Sequence, residues 1–364
     1  MKKNIIIFIP SVNVGGVEKN FFLITNYLAK KLNKISVITI NKNIKKKLNQ
    51  KVKLITPKKD RWVNSTRYIK YFISLILLIR SLIENRNQII FSFQANWYAI
   101  IIAKLFNIKI ITRSNTAPQG WSNNIIKRKI YKYIIKSADE VIVNSNEFKN
   151  SLKKYFNVNS TCIYNPLDKS KLSSYNFKRT VAKNSKKKIL KLINIGRFTN
   201  QKNQILLLKS INYLKGKIPI KLLIIGWGEN YLLLKEFIKK NHLDEYVTLK
   251  NNVHNPYKYL TKSDVFILSS NYEGLPNVLL EAQFFQKIIL STKCPTGPKE
   301  ILLNGRAGIF FKMNDYKDLS KKIFYVYNNK NKLKKLTKIG FKNLYRFDQQ
   351  KNLEKYLKVL LKFL

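Results

Sequence analysis

The stretch DVFILSSNYEGLPNVLLE, residues 264–281, decides how the second half of this chain folds. Val265–Leu268 is an apolar run typical of a buried strand, and it leads into a polar loop that contains Glu273. Gly274, Leu275 and Pro276 are predicted to open a helix that carries Glu281 about two turns along its length, and Pro276 suits a first helical position. Because the free N–H groups of such a helix start lie at the carboxyl end of a strand, the pattern indicates a site for an anionic or sugar ligand.

This segment resembles the donor-site signature of the retaining glycosyltransferases of family 4, which have the GT-B fold. The resemblance rests on two glutamates with seven residues between them, inside the thirteen-residue context S-x-Y-E-G-L-P-N-V-L-L-E-A. It implies an α/β chain with two Rossmann-like domains, whose parallel sheets face each other across a cleft. A buried strand–helix unit with surface glutamates is the structural alternative, and it leaves the motifs upstream unexplained.

Residues 192–204, LINIGRFTNQKNQ, resemble the family segment G-R-x-x-x-x-K-N, whose Arg and Lys hold the diphosphate of the donor. The resemblance assigns these roles to Arg197 and Lys202, which follow Gly196. Two fixed cations suit that task, because the departing diphosphate gains negative charge as the glycosidic bond breaks. Arg offers a planar fork to phosphate and Lys a point charge. The alternative is that Lys202 is an ordinary solvated lysine on the surface. A solvated surface position is a weaker explanation for Arg197, because this chain uses Lys far more than Arg.

Glycine pairs follow two further predicted strands. Residues 221–234, KLLIIGWGENYLLL, place Gly226 and Gly228 where the family has the second turn of its donor domain. Near the start of the chain, Gly15 and Gly16 follow an apolar run, and two adjacent glycines allow a close approach of the backbone. By resemblance, this first loop faces the donor phosphate and the acceptor. A plain tight turn between a strand and a helix is the alternative.

The resemblance also implies which residues bind the donor and which act in transfer. Glu281 contacts the ribose of the nucleotide, since a carboxylate accepts hydrogen bonds from two vicinal hydroxyls. Glu273 lies beside the transferred sugar and its developing positive charge, and it is grouped with Arg197 and Lys202 as catalytic. For His254, a structural role is the preferred alternative. The other residues assigned to donor binding are Gly15, Gly16, Gly196, Gly226, Gly228, His254, Gly274, Leu275, Asn277 and Val278.

One departure from the family lies in ITRSNTAP, residues 111–118. Family members often have a His near the acceptor, and this chain has Asn115 there, preceded by Arg113; both are assigned to the acceptor side. The two histidines of the chain, His242 and His254, lie in the second half, so the first half offers no histidine base. This composition is compatible with front-face retention, in which the leaving phosphate accepts the proton of the acceptor. It also leaves a weakened or altered activity open.

The formal charge of the chain is +51, from 70 Lys and Arg against 19 Asp and Glu. Nucleic-acid binding is one interpretation, but the lysines are dispersed and no nucleic-acid module with stacking aromatics is recognisable, so no nucleic-acid partner is predicted. An AT-rich coding sequence explains most of the excess of Lys, Asn and Ile. The third interpretation is attraction to the anionic inner leaflet of a membrane, at about 1 kcal/mol per basic residue near the surface.

The longest apolar run, YIKYFISLILLIRSLI at residues 68–83, is interrupted by Arg80 and is shorter than the roughly 20 apolar residues that span a bilayer. It predicts either a core helix of the first domain, which is preferred, or an amphipathic helix that also touches the membrane surface. The residues after Met1 lead directly into a short strand, so we expect no signal peptide. The predicted location is cytoplasmic, peripheral on the inner face of the cytoplasmic membrane.

A chain of 364 residues suits two domains. Apolar runs alternate with helical patterns along the first half, as in a parallel sheet. We predict an acceptor-side domain over 1–170 and a donor-binding domain over 189–340, joined by a polar stretch over 168–188. By resemblance, a helical pattern over 347–364 is expected to cross back to the first domain.

No cofactor and no metal ion are predicted. Cys162 and Cys294 lie far apart without the spacing of metal ligands, and no Asp-x-Asp pair ends a predicted strand. A nucleotide sugar is the expected co-substrate, and a UDP-sugar is preferred. The predicted partners are therefore a UDP-sugar donor, a polyprenyl-diphosphate or other lipid-linked glycan acceptor, and an anionic membrane surface.

The predicted function is retaining transfer of a hexose or N-acetylhexosamine from the UDP-sugar to a lipid-linked or cell-surface glycan. The loop CPTGPKEIL, residues 294–302, resembles the subset that acts on lipid-linked oligosaccharides, lipopolysaccharide or O-antigen, including N-acetylgalactosaminyltransferases. A nucleotide-sugar epimerase of the same fold is one alternative, disfavoured by the glutamate context and the missing histidines. A degenerate, non-catalytic scaffold at the membrane surface is the other, supported only by Asn115.

Overall fold

The structure, a computed structural model, describes residues 3–12, 15–115, 124–175 and 189–364. The chain divides into two compact units. One unit comprises Met1–Pro166 together with Gln349–Leu364, and the other comprises Leu167–Asp348. The predicted domains end at 170 and begin at 189, so the observed division falls near the first of these positions. Most of the predicted linker, residues 176–188, lies outside the described residues.

The described strands of the first unit form a parallel sheet of seven. They are β1 (Asn4–Phe8), β2 (Ile35–Ile38), β3 (Val52–Ile55), β4 (Gln88–Ser92), β5 (Ile110–Ser114), β6 (Glu140–Val143) and β7 (Thr161–Cys162). The order across the sheet is β3-β2-β1-β4-β5-β6-β7, and Ile5 of β1 pairs with both Ile35 and Ile89. The central strands are buried along their length, which explains why they read as continuous Ile and Phe runs without alternation.

Helices follow the strands of the first unit in alternation. They are α1 (Gly16–Lys31), α2 (Arg67–Glu84), α3 (Asn96–Leu105), α4 (Ile125–Lys136) and α5 (Asn146–Phe156). Short 3-10 turns at Lys42–Lys47 and Asp60–Trp62 lie between β2 and α2. Where the chain leaves β4 and β5 for these helices, the parallel strands require crossovers, and the helices provide them.

The second unit repeats this plan with six parallel strands. They are β8 (Leu190–Ile195), β9 (Ile220–Gly226), β10 (Val247–Asn251), β11 (Val265–Leu268), β12 (Ile288–Thr292) and β13 (Ile309–Phe311). Their order is β10-β9-β8-β11-β12-β13. The helices are α6 (Lys169–Ser173), α7 (Gln204–Leu214), α8 (Tyr231–Lys240), α9 (Tyr257–Leu260), α10 (Asn277–Phe284), α11 (Pro298–Ile301), α12 (Tyr316–Asn329) and α13 (Lys334–Lys342), with 3-10 turns at Leu303–Gly305 and Asn343–Phe347.

The last helix, α14 (Gln349–Leu361), belongs to the first unit. Its Leu353, Tyr356 and Leu360 are buried in the same core as Phe21 and Leu28 of α1. Lys3 also donates a hydrogen bond to the carbonyl oxygen of Phe363, at 2.8 Å. One face of the first sheet is therefore covered by α1 and α14, while α2 and α3 pack on the other.

Helix α2 spans the apolar run of residues 68–83 and buries only part of its surface. Ser74, Leu78 and Leu82 are buried, and the remaining positions are half-buried or exposed. Among the described residues, no helix is both long enough and apolar enough to cross a membrane.

Asp139 joins α3 to the start of the fifth and sixth strands. Its carboxylate accepts hydrogen bonds of 2.9 Å from Lys104, from Lys109 and from the backbone N–H of Ile110. Burial raises the pKa of Asp139, but these hydrogen bonds outweigh it and hold the pKa below its ordinary value. The charged carboxylate therefore stabilises this corner of the sheet.

We expect Asp139→Asn to lower the free energy of unfolding at pH 7 by about 2 kcal/mol, because hydrogen bonds to a charged group are lost. Because the pKa of Asp139 is lower in the folded state, its stabilising contribution is fully present at pH values above the unfolded pKa of about 4. The contribution is lost as the pH falls through the folded pKa. Urea unfolding followed by circular dichroism at pH 7 and pH 3 measures the loss of stability and its dependence on pH. Asp60→Asn, at a pair whose side chains are 66% and 38% exposed, is the matched control and should change little. Equal effects of the two substitutions at pH 7 would contradict the stabilising role of the Asp139 carboxylate.

Candidate functional site

The candidate site lies at the carboxyl ends of three neighbouring strands in the second unit. The chain runs from β8 to β9 on one side and later returns to place β11 on the other side of β8. At such a reversal of strand order the loops diverge and leave a crevice, where α/β proteins bind ligands. The loops after β8, β9 and β11 carry half of the residues that the sequence assigns to the donor.

Lys202 and Glu273 form an ion pair at the centre of this edge. The Lys202 Nζ lies 2.5 Å from Glu273 Oε1, and the two side chains are 18% and 7% exposed. Ser270 donates a second hydrogen bond to the same carboxylate oxygen, at 2.6 Å. The sequence assigned both charged residues to the site without indicating that they bind each other.

Backbone contacts fix the two loops that carry this pair. Ser269 donates to the carbonyl oxygen of Lys202 at 2.7 Å, and the N–H of Asn271 donates to the carbonyl oxygen of Gln201 at 2.8 Å. The Thr296 hydroxyl donates to the carbonyl oxygen of Glu273, also at 2.7 Å. Since these hydrogen bonds end on the backbone carbonyls of Gln201, Lys202 and Glu273, the position of the ion pair is set by the backbone and not by the side chains alone.

Glu281 lies on α10, nearer the helix start than predicted. The helix begins at Asn277, so Pro276 occupies the position just before the first helical residue, and Glu281 follows just over one turn later. The prediction of two turns was wrong because the residues from Gly274 to Pro276 are extended or in a turn. Glu281 is buried, and one of its oxygens accepts a hydrogen bond of 3.1 Å from the Tyr257 hydroxyl.

Arg197 is the exposed cation of the site. It lies two residues after the end of β8, and within the described ranges its guanidinium has no ion-pair partner. Its backbone is nevertheless fixed, since its carbonyl oxygen accepts a hydrogen bond of 2.9 Å from Gln204 on α7. An anchored backbone with an open guanidinium suits a group that binds an anionic ligand from solution.

Three glycines allow the loops of this edge to approach one another. A Cβ at Gly226 would overlap the carbonyl oxygen of Gly196, and one at Gly297 would overlap that of Gly274. Gly228 has φ +146°, a conformation that other residues rarely adopt, and a Cβ there would lie 2.5 Å from the carbonyl oxygen of Phe198. The loops after β8 and β9 could not pack in this way with larger residues.

The other residues of the second unit that the sequence assigns to the donor differ in how far they are buried. Gly274 and Leu275 are buried beneath the loop after β12, whereas Asn277 and Val278 are half-buried at the start of α10. His254 is exposed on the loop between β10 and α9, and no hydrogen bond or ion pair joins it to another described residue. Its assignment to the donor remains a prediction.

The two residues assigned to the acceptor side lie at the end of β5 in the first unit. Arg113, at the end of β5, is fully buried and donates to Tyr356 at 2.9 Å, to Asn165 at 2.7 Å and to Asn115. Burial raises the pKa of the Tyr356 hydroxyl despite the nearby Arg113 cation, so this group stays protonated. Because the guanidinium is inaccessible, only Asn115 of this pair is open to contact a ligand. Gly15 and Gly16 stand at the start of α1, as the sequence indicated.

Sequence analysis missed three side chains that support the site. Ser270 binds Glu273, Thr296 fixes the loop that carries Glu273, and Tyr257 binds Glu281. Only Ser270 had a usable signal, since it lies three residues before the glutamate in the same loop. The part of the chain that the structure describes contains no group of three or more His, Cys, Asp and Glu side chains that could hold a metal ion.

Two family models match the chain in succession. The model described as "Glycosyltransferase Family 4" matches residues 14–171, and "Glycosyl transferases group 1" matches residues 176–343. Among solved structures, a glycosyltransferase from Rickettsia africae ESF-5 superimposes with a TM-score of 0.77 at 18% identity, covering 100% of this chain and 98% of that chain. The chain belongs to the glycosyltransferases of the GT-B fold.

Further relatives agree with this assignment to a class of transferase enzymes. An uncharacterized glycosyltransferase of Methanocaldococcus jannaschii is 35% identical over 56% of this chain and 53% of its own length. A Campylobacter jejuni enzyme named as an N-acetylgalactosaminyltransferase acting on a diphospho-undecaprenol glycan is 25% identical over 60% of each chain. For these two relatives the match spans less than two thirds of the relative's own length. The epimerase and the non-catalytic scaffold are not favoured by any of these comparisons.

The packing of the glycosyltransferase loops predicts unequal effects of the same substitution at two glycines, a loss of stability at Gly226 and little change at Gly196. We expect Gly226→Ala to lower the free energy of unfolding by about 2 kcal/mol or more, because the new Cβ would overlap the backbone of Gly196. Gly196→Ala is the matched control, since its Cβ would meet only the Lys202 side chain, at 3.6 Å. Thermal unfolding of the two variants tests this, and equal melting temperatures would show that the close approach is unimportant.

Proposed function

We propose that this glycosyltransferase transfers a hexose or N-acetylhexosamine from a UDP-sugar to a lipid-linked glycan, with retention of configuration at the anomeric carbon. The observation that carries the proposal is the arrangement of Arg197, Lys202 and Glu273 at the reversal point of the second sheet. It combines two cations for a diphosphate with one buried carboxylate for a sugar that becomes positively charged.

The donor is proposed from the charges of the site and from structural relatives. Anabaena Alr3699/HepE, whose structure contains UDP-glucose, superimposes with a TM-score of 0.78 over 99% of this chain and 100% of that chain at 16% identity. In our proposal Arg197 and Lys202 neutralise the diphosphate of such a donor, a role that requires no metal ion. Glu281 binds the ribose hydroxyls, and the hydrogen bond from Tyr257 orients its carboxylate for this contact.

For the chemical step we propose front-face substitution. The bond between the anomeric carbon and the donor phosphate oxygen breaks, and a bond from the acceptor oxygen forms on the same face. The proton of the acceptor hydroxyl passes to the departing phosphate oxygen, so no histidine is needed. The chain has only two histidines, both in the second unit, in agreement with this route. Arg197 and Lys202 stabilise the charge that the diphosphate gains.

The acceptor is proposed from the named relatives. The Campylobacter jejuni enzyme with the name GalNAc-alpha-(1->4)-GalNAc-alpha-(1->3)-diNAcBac-PP-undecaprenol alpha-1,4-N-acetyl-D-galactosaminyltransferase is 24% identical over 97% of this chain and 96% of its own length. We propose a polyprenyl-diphosphate glycan of this chemical class, with Asn115 on the acceptor side. The enzyme would then act on the cytoplasmic face of the membrane that holds this lipid.

Removal of either cation should weaken donor binding. We expect Arg197→Ala and Lys202→Ala each to lower the affinity for UDP at least tenfold, because each loses a charge-assisted contact to phosphate. Calorimetry with UDP and a panel of UDP-sugars measures this. Lys209→Ala, at an exposed position of α7, is the matched control and should bind UDP like the wild type.

Product analysis tests the remaining part of the proposal. With the UDP-sugar that binds, NMR of the product should show the anomeric configuration of the donor. An inverted product would overturn the front-face step while leaving the donor site intact. If neither UDP nor any UDP-sugar binds to the wild type at millimolar concentration, the proposed function is wrong.

The ion pair predicts a gain of affinity from one substitution. The diphosphate must compete with Glu273 for Lys202, so Glu273→Gln should raise the affinity for free UDP about fivefold, because Lys202 is released and a negative charge is removed. The same variant should lose transferase activity, since the carboxylate is no longer available to the sugar. Glu229→Gln, at an exposed position of the loop after β9, is the control for the charge change. Unchanged UDP affinity in Glu273→Gln would show that the ion pair does not compete with the donor.

A further inference from the structure

Three neighbouring helices of the first unit expose apolar side chains in regular rows. On α2 the exposed row contains Tyr68, Phe72, Ile76 and Ile83, with Phe72 exposed by 64%. These positions repeat at about helical spacing over roughly 22 Å of helix length. The opposite row of α2, with Leu78 and Leu82, is in the core. The helix is therefore apolar on two sides, and only one of them is used for folding.

Helix α3 continues this surface. Its Tyr98, Ile101 and Leu105 are exposed, the last by 78%, while the intervening Ala99, Ile100 and Ala103 are buried. The rings of Tyr98 and of Tyr71 on α2 pack edge to face, with centroids 6.3 Å apart. The exposed rows of α2 and α3 are thus neighbours on one side of the first unit.

Helix α4 adds both apolar residues and charge. Ile126, Ile130 and Tyr133 are exposed, and Tyr131 stacks on Trp97 of α3 with centroids 4.4 Å apart. The twelve residues of α4 include five basic residues and no acidic one. Lys127, Arg128, Lys129, Lys132 and Lys136 are all exposed. Across α2, α3 and α4 the only acidic residue is Glu84, and it is paired with Arg80 at 2.9 Å.

We infer that this surface of α2, α3 and α4, here called the basic apolar face, docks the protein on a bilayer that contains anionic phospholipids. Exposed aromatic and aliphatic side chains insert at the boundary between headgroups and acyl chains, and lysine and arginine bind the lipid phosphates. Lysine side chains can also extend their apolar stems along the membrane while the ammonium stays at the headgroups. This inference deepens the proposed function, on which it rests for the lipid-linked acceptor.

Other occupants fit the basic apolar face less well. A second copy of the chain would bring two strongly basic surfaces together, and such like-charge contacts cost several kcal/mol in general. A nucleic acid would use the basic residues of α4 but would leave the Ile and Leu side chains of α2 and α3 in water. An anionic bilayer satisfies both kinds of side chain on this face at once.

Flotation with lipid vesicles tests the inference. The wild type should bind vesicles of 70% phosphatidylcholine and 30% phosphatidylglycerol and bind vesicles of pure phosphatidylcholine far less. Lys127→Gln/Lys129→Gln/Lys132→Gln should lower the vesicle affinity roughly 100-fold. Phe72→Ser/Tyr133→Ser, which keeps the charge, should lower it about tenfold.

Matched variants on the second unit separate the basic apolar face from general charge and hydrophobicity. Lys334→Gln/Lys335→Gln/Lys338→Gln removes the same charge from exposed positions of α13. Phe324→Ser/Tyr325→Ser removes the same two residue types from α12, where they are 45% and 49% exposed. Both controls should bind vesicles like the wild type. Equal losses in the control and test variants would overturn the inference.

Two further readouts complete the test. Sedimentation without lipid should show the same oligomeric state for wild type and test variants; a wild-type dimer that becomes monomeric in Phe72→Ser/Tyr133→Ser would assign the face to a second copy instead. Calorimetry with UDP should give wild-type affinity in every variant. Absence of vesicle binding with intact UDP binding would overturn the docking face alone, whereas intact vesicle binding without UDP binding would overturn the proposed function alone.

Discussion

The ion pair between Lys202 and Glu273 is the constraint on which the rest of the candidate site depends. Two buried charges are costly to remove from water, and their attraction offsets this only when the geometry is good and further hydrogen bonds are present. Ser270 supplies one such hydrogen bond to Glu273. The remaining support acts on the backbone, because the Ser269 hydroxyl donates to the carbonyl oxygen of Lys202 and the Thr296 hydroxyl donates to that of Glu273. Because the backbone holds both residues in place, a diphosphate that reaches the site can compete with Glu273 for Lys202.

The close packing of the loops follows from the same requirement. For the pair to form, the loops after β8 and β11 must meet, and the loop after β9 must leave them room. Gly226 and Gly228 lie where any side chain would strike the loop after β8. On the other side, Gly297 allows the loop after β12 to cover Gly274. Gly226 and Gly228, which the resemblance assigns to donor binding, therefore also have a packing role, and an affinity measurement alone would not separate the two roles.

The parallel sheets and the location of the donor residues could be predicted from the sequence, because both depend on local patterns. Apolar runs mark the buried strands, and the residues just after β8 and β11 must lie at the same sheet edge once the strands are parallel. Long-range partners could not be predicted in this way. Arg113 binds Tyr356, which lies 243 positions away, and no local signal joins the two. The start of α10 was predicted within Gly274–Pro276 and lies at Asn277, because a Pro fits both the first helical position and the position before it.

In so basic a chain, charge by itself identifies few sites, and burial or exposure that departs from the ordinary is more informative. Most of the lysines are solvated, and Lys202 is one of those that are not: its side chain is 18% exposed and lies against a buried carboxylate at the carboxyl edge of the sheet. The same argument applies in reverse to isoleucine, which is abundant and normally buried. Ile76, Ile101 and Ile130 are exposed on adjacent helices of one unit, where burial in the core would be expected. Because exposing such side chains in rows has no benefit for folding, their exposure indicates a surface that a membrane or another molecule covers.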